Sequence, residues 1–311
     1  MLYLDKKLQE RIDQKKVQLD SLRPLPPEAV NKLREQFALD MTYNSNAIEG
    51  NTLTKRETYL VISEGITIKG KSLKDHLEAK DHFEALEYLF DLTDRDGGLA
   101  LTEAGIRSLH ALVVGKTETE YAGKYRTGGV MIAGSGHAPP EASDVPALMH
   151  GLMKWAAEYE QKLHLVERAA IVHHKLVNIH PFFDGNGRTS RLVMNLLLMR
   201  KGYPLAVILK ADRNAYYRTL EEADRGDCHS FVRFVAQAVE RSLDIYLKAL
   251  APVATGKLQP LSEIAPKTPY SAKYLNLLAR QGKIAAHKEN RDWLTTVEAV
   301  EAYRKGRERQ R

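Results

Sequence analysis

The sequence predicts an all-α protein that ends in a small winged helix-turn-helix-like domain. Apolar residues recur at intervals of three and four along most of the 311 residues, which indicates amphipathic helices. The clearest β-prone run, residues 130–133, is short and lies between glycines. A segment whose composition is typical of a linker, residues 251–260, precedes a tail of different charge. We therefore predict an N-terminal helix (1–27), a main domain (28–250) and a tail domain (261–311).

The N-terminal residues predict two helices. The first has an apolar face formed by Leu4, Leu8, Ile12 and Leu19, and prolines at 24, 26 and 27 end it. The second runs from about Glu28 to Gly50, where the glycine is suited to a C-cap. Glu49 lies in its last turn, where a negative charge opposes the helix dipole. By itself Glu49 is an exposed charge, and further helices are expected over residues 53–112.

Residues 180–191 combine more chemically active groups than any other stretch of similar length. Apolar residues at helical spacing precede them, and residues 192–199 are apolar nearly all round, so a buried helix begins within the segment. The start of a helix presents unpaired N–H groups and the positive end of the dipole. The segment is therefore expected to attract phosphate.

The residue types in this segment strengthen the expectation of a phosphate site. Gly185 and Gly187 can direct successive N–H groups at one anion, and neither has a Cβ that would block a close approach. Arg188 and Arg191 are three residues apart on the following turn, where both guanidinium groups can fork onto phosphate oxygens.

Two further side chains in the segment suggest the chemistry. Asp184 is a hard oxygen ligand suited to Mg²⁺ that is held jointly with substrate phosphates. His180 has the only side chain of the segment that titrates near neutrality, which makes it the candidate general base. Each residue alone also fits an ordinary loop, a solvated helix face or a core histidine. A turn has no need of all of them together, so the combination predicts a site.

The segment matches, at every fixed position, the pattern His-x-Phe-x-Asp/Glu-Gly-Asn-Gly-Arg-x-x-Arg, and so resembles the Fic family. The resemblance covers residues 28–250 and is strongest over 170–246. It implies a Fic helical bundle with a small β-hairpin flap, and an enzyme that transfers AMP from ATP to a Ser, Thr or Tyr hydroxyl of a target protein.

The resemblance also implies roles for individual residues, with ATP and Mg²⁺ as the cofactors. His180 would take the proton of the target hydroxyl, and Asp184 would hold the metal. The nucleotide-binding set would be Asp184, Gly185, Asn186, Gly187, Arg188, Thr189, Ser190, Arg191, Tyr216 and Tyr217. For the two tyrosines, which would flank the adenine, a place in the core is an equal alternative.

Two other segments take a meaning from the resemblance. Residues 45–50, Ser-x-x-x-Glu-Gly, are similar to the inhibitory motif of Fic proteins, so Ser45 and Glu49 are expected to face the site, with Glu49 paired to Arg191. Animal members of the family are described as bifunctional, so removal of AMP with the help of Glu49 is also expected. Residues Val130, Met131, Ile132 and Ala133 match the flap, which would hold the target as an added strand.

Composition and charge limit the expected cellular location and the expected partners. Cys228 is the one cysteine, which excludes an internal disulfide, and no apolar run reaches membrane-spanning length, so we expect a cytoplasmic protein without membrane contact. Residues 250–311 hold 12 Lys or Arg and 6 Asp or Glu, and account for the whole formal charge of +6. This tail is expected to contact DNA or protein, and a homodimer is left open. The alternative function is a DNA-binding regulator whose core only senses nucleotide.

Overall fold

The structure is a computed structural model, and it describes residues 3–94, 101–132, 137–250, 259–281, 283–284, 286–289 and 292–308. It divides into two compact units, residues 1–249 and 250–311. Helices dominate, as the sequence predicts, and the strands of the described residues all belong to the second unit. No helix in the described ranges combines the length and the apolar character that a membrane span requires.

The helices of the first unit are α1 (Lys6–Ser21), α2 (Pro27–Ile48), α3 (Lys55–Ser63), α4 (Leu73–Asp94), α5 (Glu103–Val113), α6 (Val145–Glu158), α7 (Leu165–Ile179), α8 (Asn186–Met199), α9 (Arg213–Asp224) and α10 (His229–Leu250). At its centre is α8, which packs chiefly against α7 and also touches α2, α4 and α5. Every side chain from 188 to 198 is buried, because α8 is apolar nearly all round and its polar residues find partners inside. The N-terminus of α8 is therefore held rigidly by four other helices.

The first two helices begin at residues suited to helix starts. The carboxylate of Asp5 accepts the N–H of Leu8 at 2.9 Å and caps α1. The buried face of α1 packs into the unit, and on its outer side Arg11 donates to Glu240 of α10 at 2.8 Å. Pro27 opens α2, where its missing N–H removes no helical hydrogen bond. The N-terminal helix therefore lies within the first compact unit.

The predicted β-hairpin flap is not formed in the described residues. Residues 125–132 and 137–140 contain no paired strand. A side chain takes the place of a partner strand, because the guanidinium of Arg126 donates to the carbonyls of Gly128 and Pro140 at the two ends of the segment. Residues 133–136, which include Ala133 and the place where the turn of the hairpin would lie, are outside the described residues, so the hairpin itself stays a prediction.

The second unit contains β1 (Gln259–Pro260), α11 (Leu261–Ile264), α12 (Ala272–Arg280), β2 (Ala286–Glu289), β3 (Asp292–Thr295) and α13 (Val297–Glu308). Its sheet is antiparallel with strand order β1-β3-β2; Ala286 and Gln259 both lie opposite Thr295. Pro260 is tolerated because β1 is an edge strand. The core of this unit consists of Leu261, Ile264, Leu275, Leu278, Ala279, Ile284 and Val300.

Candidate active site

His180 stands at the point where α7 ends. Its backbone is left-handed, with φ 49°, and its N–H still donates to Leu176 at 3.1 Å, so the chain turns sharply out of the helix. The ring atom Nδ1 lies 3.3 Å from the carbonyl of Val177, a contact that assigns the proton to Nδ1 and leaves Nε2 as the basic nitrogen. Burial lowers the pKa of His180 to about 4, and the Val177 carbonyl only partly opposes this. The imidazole is therefore neutral at neutral pH, as a general base must be.

Arg126, which we did not identify from the sequence, fixes the loop that follows His180. Its backbone N–H donates to the carbonyl of Pro181 at 2.9 Å, and its side-chain Nε donates to the carbonyl of His180 at 2.8 Å. The same guanidinium tethers the segment that carries Val130, Met131 and Ile132. Met131 is 96% exposed, so its side chain is open to a partner. No short-range pattern marks Arg126, because two of its acceptors, the carbonyls of His180 and Pro181, lie more than fifty residues along the chain.

The loop between α7 and α8 is held by its own residues. The amide of Asn186 accepts the N–H of Phe182 at 2.9 Å and donates to the Phe182 carbonyl at 2.8 Å. The Phe182 ring stacks on His110 at 3.6 Å. Gly185 has φ 75°, and a Cβ there would lie 2.7 Å from Val114. Since the Asn186 side chain is committed to the loop, only its backbone N–H is available to a phosphate.

The carboxylate of Glu49 lies against the first turn of α8. A Cβ on Gly187 would come within 2.2 Å of Glu49 Oε1, so only glycine allows this approach. The place it occupies is the positive end of a helix, where backbone N–H groups favour an anion. A side chain of the protein itself therefore sits where a substrate phosphate is expected.

Arg191 holds this carboxylate from within the core. Its guanidinium is fully buried and donates to Glu49 Oε1 at 2.8 Å, to the Ser45 hydroxyl at 2.9 Å and to the Ser45 carbonyl at 2.8 Å. Tyr216 accepts a fourth, longer bond at 3.3 Å. Burial disfavours the charge, but the Glu49 carboxylate and the Tyr216 hydroxyl together outweigh burial, and the pKa of Arg191 is raised. The predicted pair of Glu49 and Arg191 is thus present in the structure.

The end of α2 is arranged to keep Glu49 in place. Arg213 Nε donates to the Ile48 carbonyl at 2.8 Å, and the Tyr217 hydroxyl contacts the same carbonyl at 3.4 Å. The Arg213 guanidinium also lies 4.7 Å from the centre of the Tyr217 ring. The Arg213 cation at the C-terminus of α2 offsets the unfavourable interaction of the Glu49 charge with the helix dipole. The sequence alone did not explain why a negative charge stands at that position.

Arg188 and Asp184 form the other side of the site. Arg188 Nη2 lies 3.3 Å from Asp184 Oδ1, and Nη1 lies 3.6 Å from Glu78 Oε1 on α4. The Nε and Nη1 atoms of Arg188 are buried and make no hydrogen bond within the described part of the chain. Burial of Asp184 favours its neutral form, but Arg188, the Gly185 N–H and Lys74 together lower its pKa. Asp184 is therefore an ionised, partly exposed carboxylate beside an arginine with unused donors.

Asp184 is also the side chain that fits a metal ion. Among the described residues no group of three or more His, Cys, Asp or Glu side chains is arranged to hold one. A single ionised carboxylate, 42% exposed at an anion site, matches the way Mg²⁺ is bound between one protein oxygen and phosphates.

Four predicted residues lie beneath or beside the site. Thr189 and Ser190 are buried in α8, and the Ser190 hydroxyl donates to the Asn186 carbonyl at 2.7 Å. Tyr216 is buried and its hydroxyl joins Arg191 to His173. Burial raises the pKa of Tyr216, so it remains a neutral hydroxyl. Tyr217 is half-buried and faces a cavity. The nucleotide contacts expected of all four residues stay predictions.

That cavity has a volume of about 310 Å³, at the small end of the range for ligand pockets. One of its lining residues is Val177, whose carbonyl contacts His180 Nδ1. Asp224 lies in its wall and accepts bonds from His174 at 2.8 Å and Asn178 at 2.9 Å. The remaining lining residues are Ile132, His137, Arg213, Asn214, Tyr217, Arg218, Leu220 and Glu221.

Comparisons with known proteins agree with this geometry. A sequence profile of the Fic/DOC family matches residues 100–198. A protein adenylyltransferase Fic of Drosophila willistoni is 38% identical over 248 residues, which are 79% of this chain and 49% of the relative. The corresponding protein of Nematostella vectensis is 38% identical over 245 residues, with coverage of 78% and 56%. The chain thus spans about half the length of the curated relatives it matches.

A solved structure extends the agreement to the fold. The Fic domain-containing signaling protein of Bacteroides thetaiotaomicron superposes with a TM-score of 0.71 at 34% identity. The superposition covers 78% of this chain and 97% of that protein.

Proposed function

Because the chain belongs to the Fic/DOC family, as its sequence pattern predicts, we propose that it transfers AMP from ATP to a hydroxyl side chain of a target protein. One observation carries the proposal: a neutral histidine stands beside a rigid anion site that contains two buried arginines. A site that only sensed nucleotide would need the arginines and the helix N-terminus, but not a basic imidazole. For this reason we favour the enzyme over a nucleotide-sensing regulator.

In the proposed reaction the target hydroxyl attacks the α-phosphorus of ATP. His180 Nε2 accepts the hydroxyl proton, a new O–P bond forms, and the bond to the β-phosphate breaks to release pyrophosphate. The N–H groups at the start of α8 orient the phosphates, and Arg188 donates its two unused N–H groups to them. Most of the catalytic effect would come from positioning and charge neutralisation, as is general for phosphoryl transfer.

We propose that Asp184 holds a magnesium ion together with the phosphates, since its carboxylate is ionised and accessible. The ion would supply neutralisation of charge on the phosphate oxygens. We also propose that the adenosine enters the 310 Å³ cavity against Tyr217, because this cavity begins at the residue that orients His180.

The pair of Glu49 and Arg191 supports a proposal of autoinhibition. The carboxylate lies against the first turn of α8, where the proposed reaction would place a phosphate, and it engages an arginine that would otherwise meet the nucleotide. ATP that binds beside it would be turned away from in-line attack, and orientation can account for several kcal/mol of a barrier. Removal of AMP from a modified target, with Glu49 activating water, is a further proposal for the same site. It fails if wild-type protein never releases AMP from modified target that it can bind.

The test of AMP transfer uses ATP labelled on the α-phosphate, in the Glu49→Gln background so that activity is measurable. His180→Ala should lower labelling by about 10²- to 10⁴-fold, the usual effect of losing a general base. His150→Ala is the matched control, because His150 is an exposed histidine of α6. If His180→Ala labels as fast as the His150→Ala control, His180 is not the base.

A second candidate function concerns the tail, which we propose is a winged helix-turn-helix domain. In favour of this are the order of its elements and the pairing of β1 with β3 beside a β2–β3 hairpin. The outer face of α12 exposes Lys273, Asn276 and Arg280, side chains that suit phosphate and base-edge contacts. A salt titration of duplex DNA binding separates the two expected partners: a steep loss of affinity supports DNA, and an absence of binding favours protein.

A further inference from the structure

A lysine at the rim of the site has no evident structural purpose. Lys74 lies in the first turn of α4, and its side chain is 59% exposed. A cation near a helix N-terminus opposes the helix dipole, so this position does not stabilise α4. The Lys74 ammonium instead points at the site, 3.8 Å from Asp184 Oδ2 and 3.9 Å from Glu78 Oε1.

The acidic partners of Lys74 are held by other groups. Glu78 Oε2 accepts a bond from Asn51 at 2.9 Å, and Asp184 Oδ1 accepts the Gly185 N–H at 2.6 Å. Both carboxylates therefore keep their places if Lys74 moves. The lysine stem is long and mostly in solvent, so the ammonium can shift by a few ångströms at little energetic expense.

The opposite side of these carboxylates is already occupied by a cation. Arg188 approaches Asp184 and Glu78 from the core, and its buried Nε and Nη1 atoms make no hydrogen bond within the described part of the chain. Lys74 approaches the same two residues from solvent. Any anion that reaches Arg188 at the mouth of the site therefore comes within reach of Lys74 too.

We infer that Lys74 is a further nucleotide-binding residue, one that contacts the terminal phosphates of a nucleoside triphosphate. This inference rests on the proposed function, because it takes ATP as the ligand of the α8 N-terminus. The α-phosphate must lie near His180 for reaction, so the β- and γ-phosphates extend away from it toward Asp184, Glu49 and Lys74. The contact distinguishes ATP from AMP, which has no terminal phosphates.

The expected effect is modest, because the ammonium is exposed. Loss of one exposed, charge-assisted contact to a phosphate should weaken ATP binding about three- to ten-fold. Binding of AMP should not change. The arginine variant, which keeps the charge, should bind ATP nearly as the wild type does.

The experiment measures dissociation constants of radiolabelled ATP and AMP by equilibrium dialysis of the full chain, with EDTA present to remove divalent cations. Lys74→Ala, Lys74→Gln and Lys74→Arg are compared with Lys69→Ala, an exposed lysine just before α4. Weakened ATP binding in the Ala and Gln variants alone, with AMP binding intact, supports the inference.

Two outcomes overturn it. Unchanged ATP affinity in Lys74→Ala shows that the lysine does not touch the nucleotide, and equal weakening of ATP and AMP shows that its effect is not on terminal phosphates. Failure of the proposed AMP transfer would be seen differently: Glu49→Gln would then bind ATP but give no labelling from ATP labelled on the α-phosphate.

Discussion

The carboxylate of Glu49 is the group whose removal changes the site most. Glu49→Gln removes its charge and keeps its length, whereas Glu49→Gly removes the whole side chain and adds about 1 kcal/mol of backbone entropy cost. Arg191 keeps three other bonds in either variant, two to Ser45 and one to Tyr216. We therefore expect both variants to fold, with a loss of stability of about 1–3 kcal/mol, the usual range for a hydrogen bond to a charged group.

The effect on activity follows from the same contact. Glu49 is 32% exposed while Arg191 is buried, so the pair is only partly screened by water, and we take its contribution as about 2 kcal/mol. A difference of this size corresponds to about 30-fold in an equilibrium constant. If the inhibited arrangement dominates in the wild type, auto-labelling should rise by up to about 30-fold in Glu49→Gln and at least as much in Glu49→Gly.

The assay is auto-labelling with α-phosphate-labelled ATP, read alongside the ATP dissociation constant. Glu35→Gln is the matched control, because Glu35 is an exposed glutamate on the same helix. Equal labelling of wild type and Glu49→Gln, with ATP binding intact in both, would refute a regulatory role. A similar rise in Glu35→Gln would show that the charge of α2 in general, and not the contact with Arg191, sets the rate.

Three further predictions concern pH and packing. Burial holds the pKa of His180 at about 4, below its unfolded value, so the basic form of the imidazole persists as pH falls. Labelling by Glu49→Gln should therefore stay level from neutrality down to about pH 5.5. A decline centred near about pH 6.5 would contradict this. Burial lowers the pKa of His82 to about 3 and that of His110 to about 4, so the folded state keeps both imidazoles neutral where the unfolded chain would protonate them. Their full contribution to the free energy of unfolding is therefore present above about pH 6.5 and is lost as pH falls below it. Each should cost about 2 kcal/mol at about pH 5, and urea titrations of His82→Gln should show a smaller drop between neutral and acid pH than the wild type. Finally, Gly187→Ala places a Cβ 2.2 Å from the present position of Glu49 Oε1, so it should expel the carboxylate and also obstruct the phosphates. ATP binding should therefore fall and labelling should not rise. Labelling equal to that of Glu49→Gln would contradict the geometry.

The helices around the site could be predicted because each one carries its own apolar period. Residues 165–179 and 192–199 predicted α7 and α8 almost as they are, and the break at residue 180 follows from the glycines and polar groups between them. We assigned no helix to residues 145–158, where α6 lies. Pro146 and Gly151 interrupt the apolar pattern there. Burial of Met149 and Leu152 against the rest of the unit outweighs the low helix propensity of this proline and this glycine.

The contacts that set the electrostatics of the site could not be predicted, since they join distant parts of the chain. Glu78 and Lys74 reach the loop from α4, about a hundred residues earlier, and the sequence around them is that of an ordinary charged helix. The absence of a paired strand in the described part of the flap has a related reason. A β-prone run becomes a strand only when a second strand is available, and the side chain of Arg126 satisfies the carbonyls at its ends instead.

In the proposed autoinhibition, one helix N-terminus serves both a resting and a working state. The field at the start of α8 favours an anion of any origin, and the absence of a Cβ on Gly187 leaves room for the Glu49 carboxylate. Arg191 has four bonds in the resting arrangement, and three of them do not depend on Glu49. Exchange of carboxylate for phosphate therefore changes the anion while the arginine stays fixed.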